Sequence, residues 1–147
     1  MQSIRISKAK ISDSQLIRKL ERNVWSEDVV SKWDASAFAR FGYVYVAKHR
    51  GKIIGSIVAF KTKDDEIFVN DWVVHKKYRR KKVGQKLYER LIKDVKQPII
   101  TFLDEKNTFL LKTHLKLGFK FVKRIKGPYN VNESYRIFVR RKPKKRR

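Results

Sequence analysis

The densest chemistry in this 147-residue chain is a basic run, Lys76-Lys77-Tyr78-Arg79-Arg80-Lys81-Lys82, that leads into Val83-Gly84. Residues 67–75 before it, Ile-Phe-Val-Asn-Asp-Trp-Val-Val-His, are β-branched and aromatic as a largely buried strand requires. After it, Val83, Leu87, Tyr88, Leu91, Ile92 and Val95 fall on one helical stripe, with Gln85, Lys86, Glu89, Arg90, Lys93 and Asp94 facing water. A strand therefore hands over to a helix through a cationic turn. The first N–H groups of that helix have no partner inside it, and its dipole makes that end positive, so phosphate binds there readily. Composition and spacing support an anion site without naming the anion. The alternative is a solvated basic turn ahead of a surface helix.

Other chemistries are closed off. Without cysteine there are no disulfides, thiolate nucleophiles or Cys-ligated metals. Three scattered histidines give no ligand constellation, so no metal is expected. No apolar run approaches the ~20 residues of a membrane span. The first residues, Met-Gln-Ser-Ile-Arg-Ile, lack a secretory apolar stretch, and a cytoplasmic protein is expected. Thirty-eight Lys and Arg against fourteen Asp and Glu give a formal net charge of +24. Such a field draws acidic cofactors, nucleic acid, a ribosomal surface or an anionic membrane, and it repels basic substrates. The alternative is a compositional habit or a solubility and heat-stability device.

The elements that must position the basic turn follow from periodicity. Residues 2–9 read as a strand. Ser12 or Asp13 caps a helix with Leu16, Ile17, Leu20 and Val24 on its apolar face. Ser26 opens a second helical segment through Val29, Val30, Trp33, Phe38 and Phe41 to Gly42, and Trp25, Trp33 and Phe38 are expected to form an apolar wall. Residues 43–49 and 52–63 form a hairpin about Arg50-Gly51, and a turn at Asp64-Asp65 feeds the central strand. Residues 98–103 follow a helical crossover and should lie parallel to it. Asn107 caps a helix carrying Leu110, Leu111, Leu115 and Leu117, and Gly118 ends it. Residues 119–125 and 134–141 alternate as a closing strand pair around Gly127-Pro128-Tyr129-Asn130. One domain, 1–142, is expected, with residues 143–147 a basic tail.

At Tyr78-Arg79-Arg80-Lys81-Lys82-Val83-Gly84 the chain resembles the acetyl-CoA-binding turn of the GCN5-related N-acetyltransferases. Their pattern is Arg or Gln, two residues, Gly, one residue, then Gly or Ala. Arg79 and Gly84 match its ends, and Lys82 stands where the family usually has its middle Gly. Asn107 and Lys116-Leu117-Gly118-Phe119 are similar to the family's second signature, in the right order and spacing. The resemblance spans residues 53 to about 140. It implies an α/β (α+β) fold: a mixed, mostly antiparallel sheet of six or seven strands with about four helices, its central parallel strands splayed. It also implies acetyl-CoA as co-substrate. Backbone groups of Trp72, Val73 and Val74 would pair with the pantetheine arm. Arg79, Arg80, Lys81, Lys82, Val83, Gly84 and Gln85 would cradle the pyrophosphate, and Asn107 would touch the cofactor.

The implied reaction is acyl transfer from a thioester to an amine, which needs a neutral amine and a proton source for the departing thiolate. The family's usual acid, a Tyr seven residues after the Asn, is replaced by His114, the candidate acid here. Two places where relatives keep a base align with Phe68 and Phe102, neither of which accepts a proton. Asp104 or Glu105 would then serve through water, or positioning alone would suffice. Tyr129 resembles the Tyr that lines the acceptor slot of peptide-N-terminus acetyltransferases. Charge favours an amine-bearing acceptor that is acidic or sits in an acidic assembly, such as a ribosome, and disfavours basic peptides and polyamines. The competing reading is a non-catalytic module of this fold that binds nucleic acid through its basic surface. It is weakened by the absence of interleaved exposed aromatics in the sequence pattern.

Overall fold

The computed structural model describes residues 3–26, 30–126 and 135–143. Strand β1 (Arg5–Lys8), helices α1 (Ser14–Trp25) and α2 (Lys32–Phe41), and strands β2 (Tyr43–His49), β3 (Lys52–Lys61) and β4 (Ile67–Val74) come first. A 3-10 helix at Lys76–Lys81 leads into α3 (Val83–Asp94), followed by β5 (Ile99–Asp104), α4 (Thr108–Lys116), β6 (Lys120–Lys126) and β7 (Tyr135–Arg141). The strands are hydrogen-bonded in the order β1-β2-β3-β4-β5-β7-β6. β4 and β5 pair in parallel, and β1–β2, β2–β3, β5–β7 and β6–β7 pair antiparallel. This is the mixed, mostly antiparallel sheet with four α-helices that the sequence led us to expect. The chain forms two compact units, Met1–Lys61 with Val69–Val95, and Thr62–Phe68 with Lys96–Arg147.

In the first unit, alternation along β2 and β3 supplies two apolar faces. Val44, Val46 and Val58 pack on Ile17 of α1, with Ala9, Phe38 and Ile53 around them. Tyr45 and Ile57 fall on the other face, and α3 buries Val83, Leu87, Tyr88 and Leu91 in the same unit. The β2–β3 turn puts Arg50 and Gly51 both at positive φ (52° and 75°), the backbone that a two-residue hairpin needs to follow strand twist.

Three expectations change here. Helix α2 is capped by Ser31, whose side chain accepts from the Asp34 N–H, whereas Ser26 ends α1 in a left-handed conformation. Within α2, Ala35 is buried and Trp33 is 76% exposed. Trp25 also reaches solvent, so the apolar wall is absent; Phe38 alone of the three packs inward, stacked on Phe60 at 5.8 Å. Leu16 is likewise exposed, whereas Glu21, one turn after Ile17, is buried.

In the second unit β7 inserts between β5 and β6, in register Thr101↔Val139 and Leu103↔Ile137. These four side chains are buried. Helix α4 buries His114 at 2% exposure, whereas Leu115, assigned to the apolar face, is 46% exposed. Phe119 packs edge-on against the His114 imidazole at 5.1 Å. Arg141 Nε donates to the Leu117 carbonyl at 2.8 Å and ties the end of α4 to β7.

Candidate functional site

The first unit holds the residues expected to bind an anion. The 3-10 helix at Lys76–Lys81 is pinned by aromatic contacts: Tyr78 lies 5.5 Å from His49 and 6.1 Å from His75. His75 Nδ1 accepts the Lys77 N–H at 3.2 Å. Lys82 then turns the backbone into α3 at φ 59°, ψ 23°, the left-handed region, where the resembling family usually has Gly. Its side chain makes no capping hydrogen bond, whereas α2 and α4 are capped by Ser31 and Asn107. The first-turn donors of α3 are thus not consumed by a side-chain cap, and they start beside the exposed Arg79, Arg80, Lys81 and Lys82. That chemistry fits a phosphate.

Gly84 is required by contact. A Cβ there would sit 2.6 Å from Cζ2 of Trp72. The Trp72 indole donates from Nε1 to the Gly84 carbonyl at 3.1 Å and meets Tyr88 edge-on at 4.9 Å. β4 and the start of α3 are thereby clamped together, which brings Trp72, Val73 and Val74 close in the fold to Val83, Gly84 and Gln85. Val83 packs inward under the turn, and Gln85 donates to Glu89 on the exposed face. Arg79 differs from expectation in part: its Nε donates to the Val74 carbonyl at 3.3 Å, so it braces the strand end.

The second unit carries the remaining residues. Asn107 Oδ1 accepts the Leu110 N–H at 3.1 Å, a side-chain cap that fixes the start of α4. His114 Nδ1 donates to the Leu110 carbonyl at 2.8 Å. Burial lowers its pKa from 6.5, with the Leu110 hydrogen bond opposing, so the imidazole is neutral at pH 7. Glu105 is held by Arg124 through two bonds, 2.7 and 3.0 Å, which lower its pKa and make it a poor proton acceptor. Asp104 accepts the Lys106 N–H at 3.0 Å. Tyr129 lies outside the described residues.

Sequence reasoning missed one pair. Glu21 of α1 and Asp71 of β4 are both buried and adjacent in the first unit. Burial and a hydrogen bond to Asp71 push Glu21 up to about 9, and burial also raises Asp71, against the pull of Glu21 and Trp25. Glu21 therefore keeps its proton at neutral pH, hydrogen-bonded to Asp71. The signal was present, since Glu21 occupies the i+4 position of the Ile17–Leu20–Val24 stripe and Asp71 the buried phase of β4. Among the described residues no group of three or more His, Cys, Asp or Glu is arranged to hold a metal, and no helix is long and apolar enough to cross a membrane.

Solved structures of the same fold are numerous. The ribosomal-protein-S18-alanine N-acetyltransferase of Escherichia coli superposes with TM-score 0.86 at 16% identity, covering 99% of this chain and 97% of that one. Arabidopsis thaliana Naa50, bound to the bisubstrate analogue CoA-Ac-MVNAL, gives 0.79 at 18% identity, over 95% and 98%. Diaminobutyrate acetyltransferase from Paenibacillus lautus, with its substrate and coenzyme A, gives 0.81 at 18% identity, over 100% and 99%. No curated protein matches the chain by sequence. The family model described as Acetyltransferase (GNAT) family matches residues 14–119, a stretch that includes both the basic turn with its uncapped helix and the Asn107 cap. The chain belongs to the GNAT acetyltransferase family.

Proposed function

We infer that this acetyltransferase uses acetyl-CoA to acetylate an amine on a protein N-terminus, a lysine, or a ribosome- or RNA-associated acceptor. In this reading it works in the cytoplasm, with residues 1–142 acting as one domain. The observation that carries the cofactor is the start of α3, where main-chain donors without a side-chain cap and four exposed cations converge. When bound, acetyl-CoA supplies an activated acyl group open to direct attack by an amine. Arg80 to Gln85 offer main-chain N–H groups to its phosphates, and Gly84, lacking Cβ, keeps the Trp72 clamp closed. Trp72, Val73 and Val74 offer strand backbone to its pantetheine arm, and Asn107 offers its amide NH2 group.

His114 remains the candidate proton source, but as a neutral imidazole whose Nδ1–H is committed to Leu110. It donates only from the fraction of molecules in which it is charged, so its contribution grows as pH falls. The acceptor reading is supported by two of the three fold relatives described above. One is named for a ribosomal-protein alanine, and the other is bound to a peptide-bearing analogue. The net charge of +24 adds that the acceptor is acidic or lies in an acidic assembly.

Calorimetric titration with acetyl-CoA tests the site. Gly84→Asp should nearly abolish binding, because its side chain both strikes Trp72 and sets a carboxylate at the helix entry. Arg80→Glu with Lys82→Glu should weaken binding by about tenfold or more. Parent-like affinity in both variants would move the phosphate site elsewhere. At saturating cofactor, His114→Ala should lower turnover with little change in acetyl-CoA affinity. An equally active variant would remove His114 from proton transfer. For the acceptor, two peptides sharing an N-terminal residue, one acidic and one basic beyond it, should differ in kcat/KM in favour of the acidic one, and the reverse order would refute the charge argument.

A further inference from the structure

One face of the second unit's sheet alternates aromatic rings and cations across adjacent strands. Phe102 of β5 and Lys123 of β6 both stand opposite Phe138 of β7. On one side of that rung Ile100 and Lys120 flank Arg140, and on its other side Asp104 and Ile125 flank Arg136. Residues opposite one another on neighbouring strands share a face, so these rungs form a continuous surface. Phe68 extends it, 5.5 Å from Phe102, which is itself 5.5 Å from Phe138. The Arg140 guanidinium lies 5.3 Å over the Phe138 ring. The end of α4 is tied to the opposite face through Arg141, the neighbour of Arg140 on β7. Phe102 is 42% exposed, and Lys120 and Lys123 are exposed.

The charge of this surface is not cancelled locally. Asp104 is the single carboxylate in the three rungs, and Glu66 is engaged by Arg140 at 2.7 Å. Lys120, Lys123 and Arg136 remain on the positive side of that balance. An apolar peptide would leave those cations facing nothing. A bare anion would gain nothing from the rings. A chain that repeats a phosphate and a flat base satisfies both, by charge pairing and by stacking on aromatic and guanidinium planes. We propose that this face binds single-stranded nucleic acid, with Phe102 and the Phe138–Arg140 pair stacking on bases and Lys120, Lys123 and Arg136 on phosphates. The surface pairs one exposed ring, Phe102, with the half-buried Phe68 and Phe138, a grouping that the sequence pattern did not reveal. Phe68 and Phe102 stand where relatives of the family keep a base, so the face rests on positions of the acceptor site of that reading, while oligonucleotide binding is measured without acetyl-CoA and its failure is distinguishable from loss of cofactor binding.

Fluorescence anisotropy with labelled single-stranded RNA and DNA oligonucleotides of about 12 nucleotides, within the usual site sizes, tests it on the full chain. The parent should bind with an affinity that falls as salt rises. Phe102→Ala should weaken binding by between about 5- and 150-fold and leave the salt slope unchanged. Phe102→Trp should restore it, which separates lost stacking from lost folding. Lys120→Glu with Lys123→Glu should lower the log–log salt slope by roughly 0.7 for each phosphate that is no longer neutralised. RNA favoured over DNA would mark the 2′-hydroxyl as read, and equal affinity would mark the shared chemistry; both support the site. Parent-like binding by Phe102→Ala would overturn it. So would binding that vanishes on deletion of residues 143–147 and ignores the sheet substitutions, or inorganic polyphosphate binding as tightly as the oligonucleotides.

Discussion

At the scale of single residues, two neighbouring positions set the start of α3 by opposite devices. Lys82 accepts a left-handed backbone at φ 59°, which costs a non-glycine residue about 1–2 kcal/mol. Gly84 has no Cβ because Trp72 occupies its place. Lys82→Gly should therefore leave stability unchanged or raise it by up to about 1 kcal/mol, since the strain relieved is partly offset by glycine's freedom in the unfolded chain. Lys82→Val should destabilise, because a β-branched residue tolerates this backbone worse. Gly84→Ala should cost about 1–3 kcal/mol by displacing the indole. Denaturant unfolding of the three variants checks both statements, and a stabilised Gly84→Ala would dismiss the clamp. The sequence motif pointed to Arg79, Lys82 and Gly84 but not to their division of labour. That Lys82 carries positive φ and Arg79 braces Val74 depends on where β4 ends, which no local pattern encodes.

Elements were legible where periodicity was strong. The α3 stripe and the β2–β3 hairpin were recovered because alternation and turn residues agree there. The α1–α2 region was misread because Ser26 and Ser31 are both acceptable caps, and only tertiary packing of Ala35 and Phe38 selects the later one. Polar residues in an apolar phase were the other blind spot: Glu21 was left out of the α1 stripe, and His114, named as the candidate acid, was not expected to be the buried residue of α4 in place of Leu115. The carboxyl pair joining α1 to β4 has a measurable signature. Folded Glu21 keeps its proton up to about 9 but releases it near the ordinary 4.5 when unfolded. Across that window the unfolded chain binds fewer protons, so stability falls as pH rises. His114 works in the other sense, its stabilisation being lost as pH falls below 6.5, so the comparison belongs above that value. The Tm should decline from about pH 7 to about pH 9, and Glu21→Gln should flatten most of that slope. A parent whose Tm climbs over the interval would exclude a proton held on Glu21.

Over the whole molecule, the sheet order was only partly readable. Two successive hairpins and one crossover place β2 to β5, whereas the position of β1 beside β2 and the insertion of β7 between β5 and β6 follow from no sequence signal, since either closing strand alternates well enough to pair with β5. That insertion leaves β6 as the last strand of the order, with nearly all of its residues exposed and its register slipping between Phe121 and Lys123. An unpaired strand edge is a template on which further copies can polymerise. Here the kink interrupts the edge, and Lys120, Lys123 and Lys126 make each incoming copy meet its own charge, while Arg124 is paired with Glu105. The guard is electrostatic and so reversible. Concentrated protein should stay dispersed at low salt, and Lys120→Thr with Lys123→Thr should shorten the lag before light scattering rises. A polyanion present at a ratio that just neutralises the strand should have the same effect, turning a guarded edge into a point of nucleation.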